Sequence, residues 1–547
     1  MIVTKQNCVT EWHFQSGISY DDPFNQVILD ILIKDPDGTE RRVPAFWSGG
    51  DEWRVRYSSS KIGMHTWISE CSDSTNRDLH QRSGIVEVVQ YDGMNPLIKH
   101  GPLKISDSGR FLHHFDDTPF FWLADTWWMG LCSRLEWPGD FQSLTRNRLD
   151  KGFSVIQIVM GLYPDMGWRD PRQQNEAGYP WTANFEEVNP AYYDMADLRI
   201  HHLVRNGLMP CIFACWGYYL PLMGLDKMKN FWRYLVARYG AYPVVWCIAG
   251  EASFPFYLSE NKNSEREFQI RGWTEIASYL KEIDPYDRLV TVHPSGPSGG
   301  AEDVDDMSAI DINMLQTGHA DRQSLLDTYR IVSEGYGATP IKPVINGEVA
   351  YEGLAEVNRQ EVQRFMFWLC MLSGAAGHTY GANGVWQVNG KERPYGKSPG
   401  GQSWGDTSWE EASRLPGSTQ LGLAKSILER YRWWEFRPRQ DWVENPATKS
   451  EYFGAYAAGI AEQVRVIYVP GEVSKRGLKI WKLGIKNIEP NIHYMASLFN
   501  PVDGSKQELG EVEPDSEGNW RPDWSRPPAF QDWILVLETG GARVKVS

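Results

Sequence analysis

The chain is short of cysteine, of long apolar runs and of basic clusters, and each shortage excludes a class of protein. Seven cysteines stand among 547 residues: Cys8, Cys71, Cys132, Cys211, Cys215, Cys247 and Cys370. The count is odd, and the spacings match neither a metal framework nor a disulfide scaffold. Cys211 and Cys215 fall on one expected strand, about 13 Å apart at the rise of a strand and so out of disulfide reach. They read as buried free thiols of a reducing compartment. No apolar run approaches the ~18 residues of a membrane span. The opening MIVTKQNCVTEWHF has no apolar signal core and no cleavage site. The expectation is a cytoplasmic protein with no membrane partner, although a mature secreted chain would look the same. The net charge of -15 is relieved by no basic patch, which argues against a nucleic-acid partner. No internal repeat, low-complexity tract, cofactor motif or metal-ligand set is visible.

Tryptophan and tyrosine, 25 of each, are what the chain has in excess. Their rings are large, flat and apolar with a polar edge. Much of this must be core, but such rings also suit the C–H faces and hydroxyl rims of sugars. The length fits two to four domains, and a charged fraction of 23% marks an ordinary globular chain.

Three parts follow from patterning. Residues 1–98 are short alternating runs broken by turn residues, such as QVILDILIKDPDGTERRVPAF, WRVRYSS and GIVEVVQY; this spacing predicts a β-sandwich. Residues 99–436 alternate apolar strands with helical patterns. In DKMKNFWRYLVARYGAYP, Met228, Phe231, Trp232, Leu235, Val236 and Tyr239 recur at helical steps before Gly240 and Pro243 end the segment. SEREFQIRGWTEIASYLKEIDP reads as a helix opened by a capping box of Ser264 and Glu267. Eight strands are countable: FFWLADTW, FSVIQIVM, LMPCIFACW, VVWCIAGE, RLVTVHPS, IDINMLQTGH, KPVINGE and AGHTYGANGVW. Most are separated by a helix, the signature of a (β/α)8 barrel. A doubly wound sheet would call for a glycine-rich phosphate turn after an early strand, and FFWLADTWW has none. Residues 437–547 return to β-type alternation and predict a second sandwich. The fold class expected is therefore a multidomain α/β chain, a central TIM barrel flanked by N- and C-terminal β-sandwich domains.

A barrel carries its site at the C-terminal ends of its strands, so those ends can be read in order. Strand 1 ends at Asp125, Trp127 and Trp128; strand 2 passes Gln157; strand 3 ends at Trp216 and Tyr218. Strand 4 ends at Glu251, strand 5 at His293, and strand 6 at Gln316 and His319. Strand 7 ends at Asn346 and Glu348 with Tyr351 beyond, and strand 8 at His378 and Tyr380 with Trp386 beyond. One carboxylate at a strand end is more often solvated or salt-bridged than catalytic. Two of them on strands 4 and 7, facing across one mouth, are what glycosidic cleavage needs. One gives a proton to the leaving oxygen, and the other, ionised, meets the oxocarbenium-like carbon. Glu251 and Glu348 are thus the candidate catalytic pair, and the remaining strand-end residues the candidate sugar ligands. Asp125 stands evenly between a hydroxyl ligand and a structural brace. The tryptophans stand evenly between core and sugar platform. The histidines fit hydroxyl binding or bracing of the glutamates better than metal binding. After strand 8, Trp404 and Trp409 are candidate walls.

Taken together and in order, PFFWLADTWW, KGFSVIQIVM, VVWCIAGE, NMLQTGH, VINGEVAYEG and GHTYGANGVWQ resemble the apiosidase-like glycoside hydrolase family. The resemblance spans essentially the whole chain. It implies an N-terminal β-sandwich, a (β/α)8 barrel, and a C-terminal β-domain of the type labelled collagen-binding. It implies a glycosidase with Glu251 as acid/base and Glu348 as nucleophile, retaining, without metal or cofactor, acting on a plant-type oligosaccharide or glycoside. Two departures stand out. The family often ends strand 4 with Gly-Gly-Asp, where this chain has Ala249-Gly250-Glu251. The wider clan sets Asn before the acid, where this chain has Gly250. Apiose is therefore not assumed, and an intracellular enzyme trimming imported oligosaccharides is the expectation. Two other functions compete: a metal-dependent barrel hydrolase, which histidines ending strands 5 and 6 fit loosely, and a non-catalytic glycan-binding barrel. Transglycosylation would use the same two carboxylates. Linkage, exo or endo action and oligomeric state are not legible.

Overall fold

The computed structural model describes residues 1–471, 483–522 and 531–544. At its centre is a parallel sheet of eight strands: β1 (Trp122–Trp127), β2 (Val155–Leu162), β3 (Met209–Cys215), β4 (Val245–Cys247), β5 (Val290–Thr291), β6 (Asn313–Gln316), β7 (Val344–Glu348) and β8 (Gly377–Tyr380). The hydrogen-bonded order runs β5-β4-β3-β2-β1-β8-β7-β6. A parallel bridge between Thr291 and Ile312 joins the two ends, so the sheet curls into a TIM-like barrel. Its strands are buried on both faces, which is why they appear in sequence as continuous apolar runs.

Among the described residues seven longer helices cover the barrel: α1 (Gly139–Asp150), α2 (Pro190–Arg205), α3 (Leu225–Tyr239), α4 (Lys262–Ile283), α5 (Ser324–Gly337), α6 (Gln360–Leu372) and α7 (Pro416–Leu428). One strand–helix unit departs from the pattern. After β5 the chain makes a short strand, Ser298–Gly299, and a 3₁₀ turn, Gly300–Glu302; Ser298–Gly299 pairs antiparallel with β6. The α3 pattern is where the apolar spacing puts it. The capping box expected for α4 is not formed: the helix starts earlier, at Lys262 after Asn261. Ser264 instead donates its hydroxyl to the Asn261 carbonyl.

The N-terminal runs form two facing sheets. One has the order Ile2–Lys5, Ser83–Val89, Gly63–Cys71, Leu29–Lys34, Glu40–Pro44; the other has Thr10–Gln15, Glu52–Tyr57, Phe46–Gly49. Ile31, Ile33, Trp53 and Val55 fill the space between them. Arg56 anchors this part to the barrel, donating to the Arg238 carbonyl at 2.8 Å and pairing with Asp197 on α2. The C-terminal part contains a six-stranded sheet: Arg437–Pro438, Tyr456–Ile460, Val464–Val469, Trp533–Glu538, Met495–Phe499, Lys506–Glu511. One face packs on α6, where Trp368 stacks on Tyr468 and Arg364 grips Asp532 at 2.6 and 2.8 Å. The opposite face is covered by Trp442, Val443, Leu483 and Ile485.

All seven cysteines are unpaired, and six are buried. Among the described residues no helix is long and apolar enough to cross a membrane.

Candidate active site

Glu251 and Glu348 line one cleft of about 180 Å³ at the C-terminal mouth of the barrel. The Gln316 amide bridges them, donating to Glu251 Oε1 at 3.2 Å and to Glu348 Oε1 at 3.1 Å. Its own oxygen accepts from the Gly296 N–H, which fixes the amide with its nitrogen toward the carboxylates. A shared donor at those two distances caps the separation of the two oxygens at about 6.3 Å.

The two carboxyls sit in opposite electrostatic environments. Burial, reinforced by the charge of Glu348, pushes Glu251 up to about 7. Burial pushes Glu348 up as well, but the two imidazoles beside it, His293 and His319, outweigh burial and hold Glu348 well below the usual carboxylate range. His319 Nε2 lies 2.8 Å from Glu348 Oε1, and His293 Nε2 lies 3.2 Å from Glu348 Oε2. The tautomer of His293 follows from its other side. Nδ1 accepts the backbone N–H of Glu251, so the ring proton sits on Nε2, facing Glu348. The backbone at one carboxylate thereby sets which ring nitrogen faces the other, close to Glu348 Oε2 but outside hydrogen-bond geometry. Below about pH 7 the arrangement holds Glu251 protonated and Glu348 ionised, the separation that acid/base chemistry requires.

Local backbone explains how both side chains reach the mouth. Glu251 has φ +41, a left-handed conformation that costs a non-glycine residue about 1–2 kcal/mol and that is typical of functional sites. Its carboxylate accepts from Trp216 Nε1 at 3.1 Å. Gly250 is required by the same indole, because a Cβ there would lie 2.3 Å from the Trp216 ring. No asparagine can precede the acid in this chain. In β7 the pairing to β6 shifts register after Leu315–Asn346, so that Gln316 pairs with Glu348. This bulge, at Gly347, breaks the alternation that would otherwise send Glu348 the same way as Asn346. A Cβ on Gly347 would collide with Met314 at 2.4 Å. Gln157 Nε2 holds the Gly347 carbonyl at 3.0 Å. Asn346, with its amide turned to satisfy both of its ends, donates to the Leu315 and Glu348 carbonyls.

The structure therefore sorts the sequence candidates. Trp128, Trp216, His319, Tyr351 and Trp386 line the cleft with the two glutamates, and His293 and Gln316 contact the carboxylates from below. Trp386 stacks on Tyr351, whose hydroxyl accepts from Trp128 Nε1 at 2.9 Å. Seven candidates lie elsewhere. Asp125 pairs with Arg148 of α1 at 2.5 Å and accepts from Trp127 Nε1, fully buried; it is a brace between strand and helix. Trp127 packs edge-on against Phe141 of the same helix. Asn346 and Gln157 are the bulge supports just described. His378 is buried against Phe367 of α6, where burial pulls its pKa down to about 3. Tyr380 donates to Glu352. Tyr218 spends its hydroxyl on the Tyr163 and Met166 carbonyls. The strand residues among these point outward into the helical layer or inward beneath the mouth, because alternate residues of a strand take opposite faces.

Six cleft residues escaped the sequence reading: Pro164, Asp165, Phe254, Tyr257, Leu354 and Gln402. All lie on connecting segments without strand periodicity, and no signal in the chain sets them apart. Of the two candidate walls, Trp404 lines the cleft and Trp409 is buried behind it. Both histidines of strands 5 and 6 are turned onto Glu348. Among the described residues no group of three His, Cys, Asp or Glu side chains is placed to hold a metal ion.

A family model described as apiosidase-like, catalytic domain, matches residues 106–435. A second, described as a domain of unknown function (DUF5060), matches residues 5–72. Solved structures share the fold. One named glycoside hydrolase is 23% identical, with a TM-score of 0.66 over 82% of this chain and 99% of its own. A glycoside hydrolase family 5 protein from Bacteroides vulgatus is 23% identical, with a TM-score of 0.67 over 83% of this chain and 95% of its own. A candidate glycoside hydrolase from the same organism is 15% identical, with a TM-score of 0.68 over all of both chains. No curated protein matches the sequence.

Proposed function

The chain belongs to the apiosidase-like family of glycoside hydrolases, and from that premise we propose that it cleaves its glycosidic bond with retention, Glu348 acting as nucleophile and Glu251 as acid/base. In the first step Glu348 attacks the anomeric carbon while Glu251 protonates the departing oxygen. In the second, Glu251 takes a proton from water as the water displaces Glu348. The observation that carries this reading is the opposite tuning of two carboxyls that share one amide donor. The two bridged oxygens lie at most about 6.3 Å apart, close enough for both carboxyls to reach one anomeric centre. The aromatic walls offer faces for a sugar ring. A plant-type oligosaccharide or glycoside is the substrate class proposed from the family.

The test is a panel of aryl glycosides, pentosides and hexosides of both anomers. We expect release of the aryl group from at least one, without added cofactor. A panel on which nothing is released would count against the reading.

A further inference from the structure

A third carboxyl shares the cleft, and the two-carboxylate mechanism leaves it unused. Asp165 follows β2 on a loop, is 5% exposed, and lines the same cavity as Glu251 and Glu348. Its backbone is left-handed, φ +57, and the loop is tied down on both sides. Tyr218 donates its hydroxyl to the carbonyls of Tyr163 and Met166, and Arg172 donates to the carbonyl of Asp165 itself at 3.4 Å. Tyr257 reaches in from beyond β4 and donates to Asp165 Oδ1 at 2.6 Å. Trp404 stands close enough to favour the ionised carboxyl, yet its indole N–H has no hydrogen-bond partner. A buried donor without a partner is costly, and Asp165, which already accepts from Tyr257 on Oδ1, stands beside it with a second oxygen. One hydroxyl that donates to Asp165 and accepts from Trp404 would satisfy both.

The charge of the cleft narrows what can carry that hydroxyl. Among the described residues no lysine or arginine lines it. The guanidinium of Arg172, behind the loop, is taken up by Asp170 and by carbonyls. His319 is committed to Glu348. An anionic sugar would bring its charge beside Glu348 with no uncommitted lysine or arginine among the described lining residues to meet it. The cavity is also small beside the roughly 300–1,000 Å³ usual for ligand sites, leaving room for one ring between the indole walls.

Building on the glycosidase reading, we propose that Asp165, held by Tyr257, is the specificity-determining hydroxyl ligand of a pocket that accepts a single, terminal, uncharged glycosyl unit. Uronic, sulfated or phosphorylated units are excluded, and action is from a chain end. Burial favours the protonated carboxyl, opposed by Tyr257 and Trp404, so Asp165 meets a neutral hydroxyl without adding a second full charge next to Glu348.

The experiment is calorimetric titration of Glu348→Gln with free pentoses and hexoses and with their uronic-acid counterparts, repeated with Asp165→Asn added. Asparagine tolerates the left-handed backbone and keeps the side-chain shape. We expect at least one neutral sugar to bind and its uronate to bind tenfold or more weakly. Asp165→Asn should weaken the neutral sugar by about 10–100-fold. Tyr257→Phe, which removes only the hydroxyl that orients Asp165, should give a smaller loss in the same direction. The proposal is overturned if the uronate binds as well as the neutral sugar, if no sugar binds, or if affinity ignores Asp165. Turnover that needs Glu348, alongside affinity indifferent to Asp165, would end this inference and leave the glycosidase reading standing. Asp165-dependent binding with no Glu348-dependent turnover would do the reverse.

Discussion

Replacing Glu348 by glutamine is expected to cut turnover on the order of 10⁴-fold or more on every substrate. The glutamine keeps the volume and one oxygen, so the hydrogen bonds from Gln316 and His319 to Oε1 survive in shape. What it loses is the anionic oxygen that two histidines hold ready. The proposed role is covalent, so the loss should not depend on how good the leaving group is. Initial rates on the best aryl glycoside and on a natural glycoside, for wild type and variant, measure it. A variant that keeps more than a few per cent of activity on either substrate would remove Glu348 from the role of nucleophile.

Glu251→Gln should behave differently, and the difference identifies the acid. General acid help contributes about 10²–10⁴-fold, but a good aryl leaving group needs little of it. The variant should therefore lose about 10²–10⁴-fold on substrates with poor leaving groups and far less in the first step on activated aryl glycosides. The pH profile gives an independent sign. With its carboxyl pushed up to about 7, Glu251 is protonated and competent below that pH, and kcat/KM of the wild type should fall as pH rises through it. The acid side is governed by Glu348, whose carboxyl is held low, so activity should persist well below pH 5. In Glu251→Gln the fall near pH 7 should vanish. Equal damage to activated and unactivated substrates, or an unchanged alkaline limb, would show that Glu251 is not the acid.

The barrel was legible because each buried strand is an apolar run of its own, and the strand ends taken in order include the two glutamates, Gln316, His319 and most of the aromatic residues that gather at one cleft. That reading failed where a position near a strand end does not face the mouth. Asp125 and Trp127 are two residues apart and so share a face, and that face meets α1 rather than substrate. His378 and Tyr380 repeat the pattern on β8. Strict alternation would also have misled at β7, where Asn346 and Glu348 are two apart yet point differently. Only the register shift at Gly347 separates them, and a bulge has no signature in the letters beyond a glycine. Asp165 and Tyr257 were invisible for another reason. Each becomes part of the site by a long-range contact between loops, 92 residues apart in the chain, and neither strand nor helix periodicity reports such a contact. The short connection after β5 was missed because a 3₁₀ turn is shorter than any window in which helical spacing can be counted.

The most direct measurement is the stereochemistry of the first product. The hydrolysis of an aryl glycoside by the wild-type protein can be followed by proton NMR from the first minutes, before the released sugar mutarotates. The proposed double displacement through Glu348 predicts that the sugar appears first with the anomeric configuration of the substrate. First appearance of the opposite anomer would mean that water attacks directly, and Glu348 would then be a base and not a nucleophile.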